Sequence, residues 1–249
     1  MAPLLISIEG NIGSGKSTLL TYMKQNLRFL GKRDVVYVDE PVAEWATITN
    51  DEGKGMLELF YANPNKYSFS FQMMAYISRL SNLQSAIRAH PNDIIIMERS
   101  LHTDYHVFAK MLREKGTLLT EEMTIYKRWF HHFSISMHGI IYLQCPPEVA
   151  MERCLLRNRP GESIDMNYIQ GLHQKHESWI HDLDIRPLLV IDNTDTTLED
   201  SLFAIEDFLC DLSEDEPSHF MERIYSSYSY SKLIAYWFIY TFMQWLKKA

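Results

Sequence analysis

Cysteine is scarce in this chain: three of 249 residues, Cys145, Cys154 and Cys210. They form no CxxC pair and show no histidine spacing typical of zinc, so neither a disulfide framework nor a zinc module is supported. Free thiols point to a reducing compartment. A basic leader is also missing, because Met1-Ala2-Pro3 runs directly into the apolar Leu4-Leu5-Ile6-Ser7-Ile8. The expected location is therefore the cytoplasm. Positive charge is in deficit, with 24 Lys and Arg against 32 Asp and Glu and a net charge of −8. That balance argues against a nucleic-acid polymer as partner, which needs a basic footprint, but leaves room for a small anionic ligand in a local basic cleft. Internal repeats and Gly/Ser linkers are absent too.

What is present is ordinary for a globular protein: 46% apolar and 22% charged residues, which excludes disordered and fibrous classes. The length suits one large or two small domains. Short Ile- and Val-rich runs at 4–8, 35–38, 94–97, 140–143 and 188–191 read as strands buried on both faces. Between them, residues 17–30 (with Gly31 as C-cap), 67–89, 101–114, 121–138, 148–156, 167–183 and 198–212 read as helices. This alternation predicts an α/β fold, a five-stranded parallel sheet flanked by helices on both faces. The composition breaks at Ser213-Glu214-Asp215-Glu216-Pro217, dividing a domain of residues 1–212 from a tail of residues 213–249.

Gly10-Asn11-Ile12-Gly13-Ser14-Gly15-Lys16-Ser17 satisfies G-x-x-x-x-G-K-[ST] between a strand and a helix, and Thr18 continues into that helix. Such a loop turns backbone N–H groups around a phosphate and adds the positive end of a helix. Lys16 supplies a charge near the β and γ phosphates, and Ser17 a hydroxyl ligand for Mg²⁺. The expected fold is thus that of a P-loop kinase. No N-K-x-D guanine-reading motif is present, which disfavours a GTPase, and the chain lacks the length of a motor core. The strand at 94–97 leads into Glu98-Arg99-Ser100, where Glu98 can hold Mg²⁺ through water and Arg99 can steady phosphoryl charge. These features point to a kinase of small substrates. Asp39-Glu40-Pro41 follows the second strand, where open α/β sheets place ligands. Pro41 keeps Glu40 extended, and its carboxylate could accept the proton of an attacking hydroxyl or could simply be a solvated acid.

Glu40-Pro41-Val42-x-x-Trp45, Leu59-Phe60-Tyr61, Phe71-Gln72, Glu98-Arg99-Ser100, Arg153-x-x-x-Arg157-x-Arg159 and Leu172-His173-x-Lys175-His176-Glu177-x-Trp179 together resemble the deoxyribonucleoside kinase family over about residues 4–212. The resemblance implies γ-phosphoryl transfer from MgATP to the 5′-hydroxyl of a deoxyribonucleoside. It implies Glu40 as the base with Arg99 nearby, and Tyr61 with Glu162 on the sugar 3′-hydroxyl. It further implies Gln72 on the base edge, Trp45, Phe71 and Phe108 as apolar walls, and Arg153, Arg157 and Arg159 on a lid of about residues 153–165. The segment 160–164 is one residue shorter than in deoxycytidine-type relatives. The pair Arg79 with Asp104 resembles deoxycytidine and deoxyguanosine kinases, which implies deoxycytidine or purine deoxynucleosides over thymidine; the alternative is a structural ion pair. Relatives are homodimers through two helices, for which 67–89 and 121–138 are the candidates. A non-catalytic subunit of the same fold and a thymidylate-type monophosphate kinase are the competing classes; the intact set Lys16, Ser17, Glu40, Glu98 and Arg99 disfavours the first, and Glu98 with Glu40-Pro41 the second.

Ten of the 31 aromatics lie between Phe220 and Trp245, and residues 233–246 carry no charge before Lys247-Lys248. Fourteen residues are short of the roughly twenty that span a bilayer. The expected reading is a terminal helix docked on its own domain or a partner, with membrane contact as the less favoured alternative.

Overall fold

The computed structural model describes residues 2–27, 32–182 and 187–213. Strands β1 (Leu4–Gly10), β2 (Val35–Val38), β3 (Ile94–Glu98), β4 (Gly139–Gln144) and β5 (Leu188–Asp192) form one sheet in the order β2-β3-β1-β4-β5. All four pairings are parallel. The predicted runs each fall within an observed strand. β1 and β3 are buried at every position, as continuous apolar runs covered on both faces must be. β4 is buried except at Gln144. The expectation of two buried faces fails at the edges. β2 is only half-buried throughout and Val190 on β5 is 49% exposed, because each edge strand has one neighbour and incomplete helical cover.

One face of the sheet packs Leu4, Ile6, Ile8, Ile94 and Ile96 against Leu19, Leu20 and Met23 of α1 (Lys16–Asn26) and Ile205 and Leu209 of α10 (Leu198–Ser213). The other face sets Leu5, Ile95 and Met97 against Leu83 of α4 (Pro64–Ala89), and Ile140 and Tyr142 against Leu172 and Trp179 of α9 (Met166–Asp182). Helices on both faces were expected from the alternation, and this is a P-loop kinase fold.

Several helix limits differ from the sequence reading. α1 ends at Asn26, while Leu30 and Gly31 lie outside the described residues, as do Leu183 and the whole aromatic tail from residue 214. α4 starts three residues early because Asn63 caps it, accepting from the Lys66 N–H at 3.2 Å, with Pro64 fitting the first turn. α7 (Thr120–Phe133) stops short of residue 138: Ser134 turns extended, and the His138 N–H already bonds the Leu5 carbonyl at 2.7 Å to lead into β4. α8 (Pro147–Arg157) closes on Asn158, a left-handed residue at φ +44°. α2 (Val42–Trp45) and α3 (Met56–Ala62) were not read at all, being too short to show a helical period.

The predicted helix 101–114 is instead three consecutive pieces: α5 (Leu101–Thr103), a π-helical stretch (Asp104–Ala109) and α6 (Lys110–Glu114). Hydrogen bonds to the fifth residue widen the turn, so residues four apart come nearly into line. Asp104 and Phe108 thereby face one cavity.

Candidate active site

A cavity of about 640 Å³ opens at the C-terminal ends of β1, β2 and β3. Ile12, Gly13, Gly15, Lys16, Ser17 and Thr18 form one end, and Trp45, Phe71, Gln72, Arg79, Asp104 and Phe108 the other. Glu40, Glu98 and Arg99 lie between, and Tyr61, Arg153, Arg157, Arg159 and Glu162 complete the wall. Of the residues predicted from sequence, Gly10, Asn11 and Ser14 do not line it. The Gly10 carbonyl accepts from Arg99 Nη1 at 2.9 Å, and the Asn11 amide donates to the Ile169 carbonyl at 3.0 Å. Ser14 is fully buried in the turn.

The phosphate loop is built around close backbone contact. A Cβ on Gly13 would collide with the Ala150 carbonyl and stand 2.8 Å from Cys154 Sγ. Gly13 (φ +78°) also sits in the left-handed region that glycine alone occupies at little cost. Lys16 is buried, its Nζ donating to the Asn11 carbonyl at 2.6 Å. Burial and the neighbouring Arg99 guanidinium push its pKa down to about 7, so the amine is poised to gain from the negative charge of a bound phosphate.

Ser17 Oγ donates to Glu98 Oε1 at 2.9 Å, joining the two predicted metal ligands across β1 and β3. Two hard oxygen donors beside a phosphate loop fit Mg²⁺, which keeps several waters and takes few protein ligands. Among the described residues no group of three or more His, Cys, Asp or Glu could hold a metal ion. Glu9 is a buried acid that the sequence reading passed over. It accepts from the Ser100 N–H at 2.9 Å and from the Thr103 hydroxyl, pinning the turn after β3 that presents Glu98 and Arg99. Arg99 itself holds φ +64°, rare for a side-chain-bearing residue and a mark of local strain at a working site.

Glu40 Oε1 receives Arg79 Nη2 at 2.9 Å and lies 3.4 Å from Arg99 Nε. Burial opposes ionisation, but Arg99, Arg79 and Lys16 outweigh it and hold the carboxyl below the usual range. Asp104 lies 3.3 Å from Arg79 Nε. There burial dominates, Arg79 offsets only part of it, and the pKa is pushed up to about 7. Arg79 Nε and Nη1 and Asp104 Oδ2 are buried without a hydrogen-bond partner in the protein, Nε and Oδ2 meeting only as the ion pair. Gln72 Nε2 currently donates to the Asp104 carbonyl at 3.2 Å.

Trp45, Phe71 and Phe108 all line this cavity. Phe71 meets Trp45 edge-on with centroids 5.6 Å apart, Arg99 stacks 5.0 Å over Phe108, and Trp45 Nε1 donates to Ser78 Oγ at 2.9 Å. The shorter segment after Arg159 still delivers Glu162, which pairs with Arg157 and stands 3.7 Å from Arg159. Arg159 lies in the loop that follows α8. Wall residues missed from sequence include Leu57 and Phe60 on α3, Tyr168 on α9 and Asn193, Thr194, Thr196 and Leu198 at the β5–α10 turn. Tyr168 lies 6.1 Å edge-on to Tyr61, so its place two residues into α9 was the available signal. The polar turn 193–197 carried none.

A phosphate loop, a buried lysine, a Ser–Glu oxygen pair and a cleft ending in a charged, aromatic-walled pocket define a phosphotransferase of the P-loop kinase class. Residues 6–214 match the deoxynucleoside kinase family profile, and the chain belongs to that family. It is similar to human deoxycytidine kinase, 36% identical over 198 residues covering 70% of this chain and 74% of the relative. A probable deoxycytidine kinase of fowlpox virus is 32% identical over 223 residues, covering 83% and 88%. A mitochondrial deoxyguanosine kinase of Xenopus laevis is 32% identical over 196 residues, covering 70% and 72%. The chain is therefore a nucleoside-directed kinase.

Proposed function

We propose that this kinase transfers the γ-phosphoryl group of MgATP to the 5′-hydroxyl of a deoxyribonucleoside, preferring deoxycytidine or purine deoxynucleosides to thymidine. The observation that carries the reading is the Glu40–Arg79–Asp104 chain, which links the phosphate end of the cavity to its base end. Arg79 and Arg99 both reach Glu40 Oε1 and keep the carboxyl ionised, which suits it to orient a 5′-hydroxyl and take its proton. Lys16 and Arg99 face the phosphate side, where charge grows during in-line transfer. Ser17 and Glu98 would hold Mg²⁺, which supplies charge neutralisation when bound. Arg153, Arg157 and Arg159 wall the cavity and help exclude water. In this reading Tyr61 and Glu162 take a sugar hydroxyl, Gln72 a base edge and Phe108 with Trp45 the base faces, all of them lining the cavity. A thymine 5-methyl would crowd Arg79, whereas an amino-bearing base finds an acceptor on Asp104.

The concave cavity and net charge of −8 favour small substrates over nucleic-acid polymers. Among the described residues no helix is long and apolar enough to cross a membrane; a cytoplasmic location is proposed from the buried thiols of Cys145 and Cys154. A homodimer is supported by an exposed apolar stripe on α7, Ile125, Trp129 and Phe133 at 46, 41 and 37%, and by Ile77 exposed at 53% on α4. Residues four apart share a helix face. The assay measures phosphate transfer from MgATP to each of four deoxynucleosides, with Glu40→Gln alongside. Transfer to deoxycytidine or a purine deoxynucleoside should exceed that to thymidine, and Glu40→Gln should lose about 10²- to 10⁴-fold in kcat. Thymidine as best substrate, or full activity of the variant, overturns the reading.

A further inference from the structure

The phosphate loop is tied to the far edge of the sheet by one side chain. Asn193 follows β5, next to the strand pair farthest from the nucleoside end of the cavity. Its Nδ2 donates to the Ser14 carbonyl inside the phosphate loop. Its own carbonyl accepts from Arg153 Nη2 at 2.9 Å, and its N–H donates to the Gln144 carbonyl at 2.9 Å. The Gln144 amide in turn donates to the Glu177 carboxylate at 3.0 and 3.1 Å, anchoring the end of β4 to α9. Asp192 shapes the turn, its Oδ1 accepting from the Thr194 N–H at 3.0 Å. Contact is tight: a Cβ on Gly15 would stand 2.5 Å from Asn193 Nδ2 and 3.8 Å from Arg153 Nη1.

We propose that Asn193 is a positioning residue of the donor site, a clasp that fixes the phosphate loop and the lid arginine Arg153 in one register. The peptide joining Ser14 to Gly15 is planar and trans. Holding the Ser14 carbonyl therefore sets the direction of the Gly15 N–H, one of the amides with which such loops cradle phosphate. Arg153 is fixed from the same residue, so the cradle and its cationic cover move together. The clasp acts on phosphate contacts and not on the donor base. It takes from the proposed function only that a nucleoside triphosphate occupies this end of the cavity.

Asn193→Asp keeps the shape but replaces the donating amide with a carboxylate facing a carbonyl. Titration of the full chain with MgATP and MgUTP should show affinity for both weakened about tenfold, by the same factor, as expected for one lost hydrogen bond and a new repulsion. In turnover, KM for the triphosphate should rise by a similar factor while KM for the nucleoside stays within twofold. Asn193→Ala serves if the aspartate variant does not fold, with a smaller loss in the same pattern. Triphosphate affinity unchanged within twofold in a folded variant overturns the clasp. So does a loss differing more than threefold between MgATP and MgUTP, which would make Asn193 a reader of the base. If the wild-type chain phosphorylates no deoxynucleoside, the proposed function fails while the nucleotide titration still judges Asn193.

Discussion

Removing Arg79 tests how the two ends of the cavity are coupled. Its side chain is 3% exposed and bridges Glu40 at 2.9 Å and Asp104 at 3.3 Å, themselves 18 and 2% exposed. Taking one partner from a buried ion pair ordinarily costs about 3–5 kcal/mol, because a charge is left uncompensated. Two features lower that here. Glu40 keeps Arg99 at 3.4 Å, and Asp104, with a pKa already near 7, can discharge by taking a proton. Arg79→Met should therefore lose about 2–3 kcal/mol at pH 8, toward the low end of that range. Arg79→Met with Asp104→Ala removes the cation together with one anion and leaves no orphan, so it should lose less than the two single changes added, by about 1–2 kcal/mol of coupling. Urea unfolding of the four proteins, checked for constant m, measures this. Initial rates give the functional half: thymidine kcat/KM should rise in the double variant and that for deoxycytidine fall. Additive losses within about 0.5 kcal/mol, with thymidine no better than in wild type, would falsify the argument.

Two further outcomes follow from the same geometry. Asp104 has a folded-state pKa raised by burial to about 7 from an ordinary carboxyl value. Its stabilising contribution is therefore complete below about pH 4 and is lost as pH rises through about 7. Asp104→Asn should gain on wild type in thermal unfolding between pH 5 and 8, by at most about 4 kcal/mol; a difference independent of pH contradicts the burial argument. For the apolar stripe, Trp129→Glu should shift the full chain toward monomer in analytical ultracentrifugation, since a charge replaces a ring stacked 5.7 Å from Phe133 on an exposed face. An unchanged dimer places the interface elsewhere, and a wild-type monomer removes the proposal.

Much of the fold was legible because its causes are local. β1 and β3 are continuous apolar runs, and such runs separated by helical stretches have few arrangements other than a parallel sheet covered on both faces. The phosphate loop was equally plain, since its chemistry needs glycines, a lysine and a hydroxyl at fixed spacing in one turn. Arg79 and Gln72 could be set on one face from their seven-residue interval. Edge exposure at β2 and β5 was not legible, because it depends on strand order and not on the residues of the strand. The π-helical stretch, α2 and α3 were missed for a related reason: each is too short or too irregular for a period to show.

The sequence alone determined which groups were available: Lys16 and Ser17 in a phosphate-loop motif, Glu40 after the second strand, Arg79 and Asp104 on two later helical stretches. Only the tertiary structure decided how they are charged and joined. Asp104 is raised toward 7 and Glu40 held low although both face Arg79, because the balance of burial against neighbouring guanidinium groups is a matter of three-dimensional distance. Glu9 and Asn193 were invisible beforehand for the same reason. Their partners lie 91 and 179 positions away along the chain, and a hydrogen bond across that separation leaves no pattern in the order of residues.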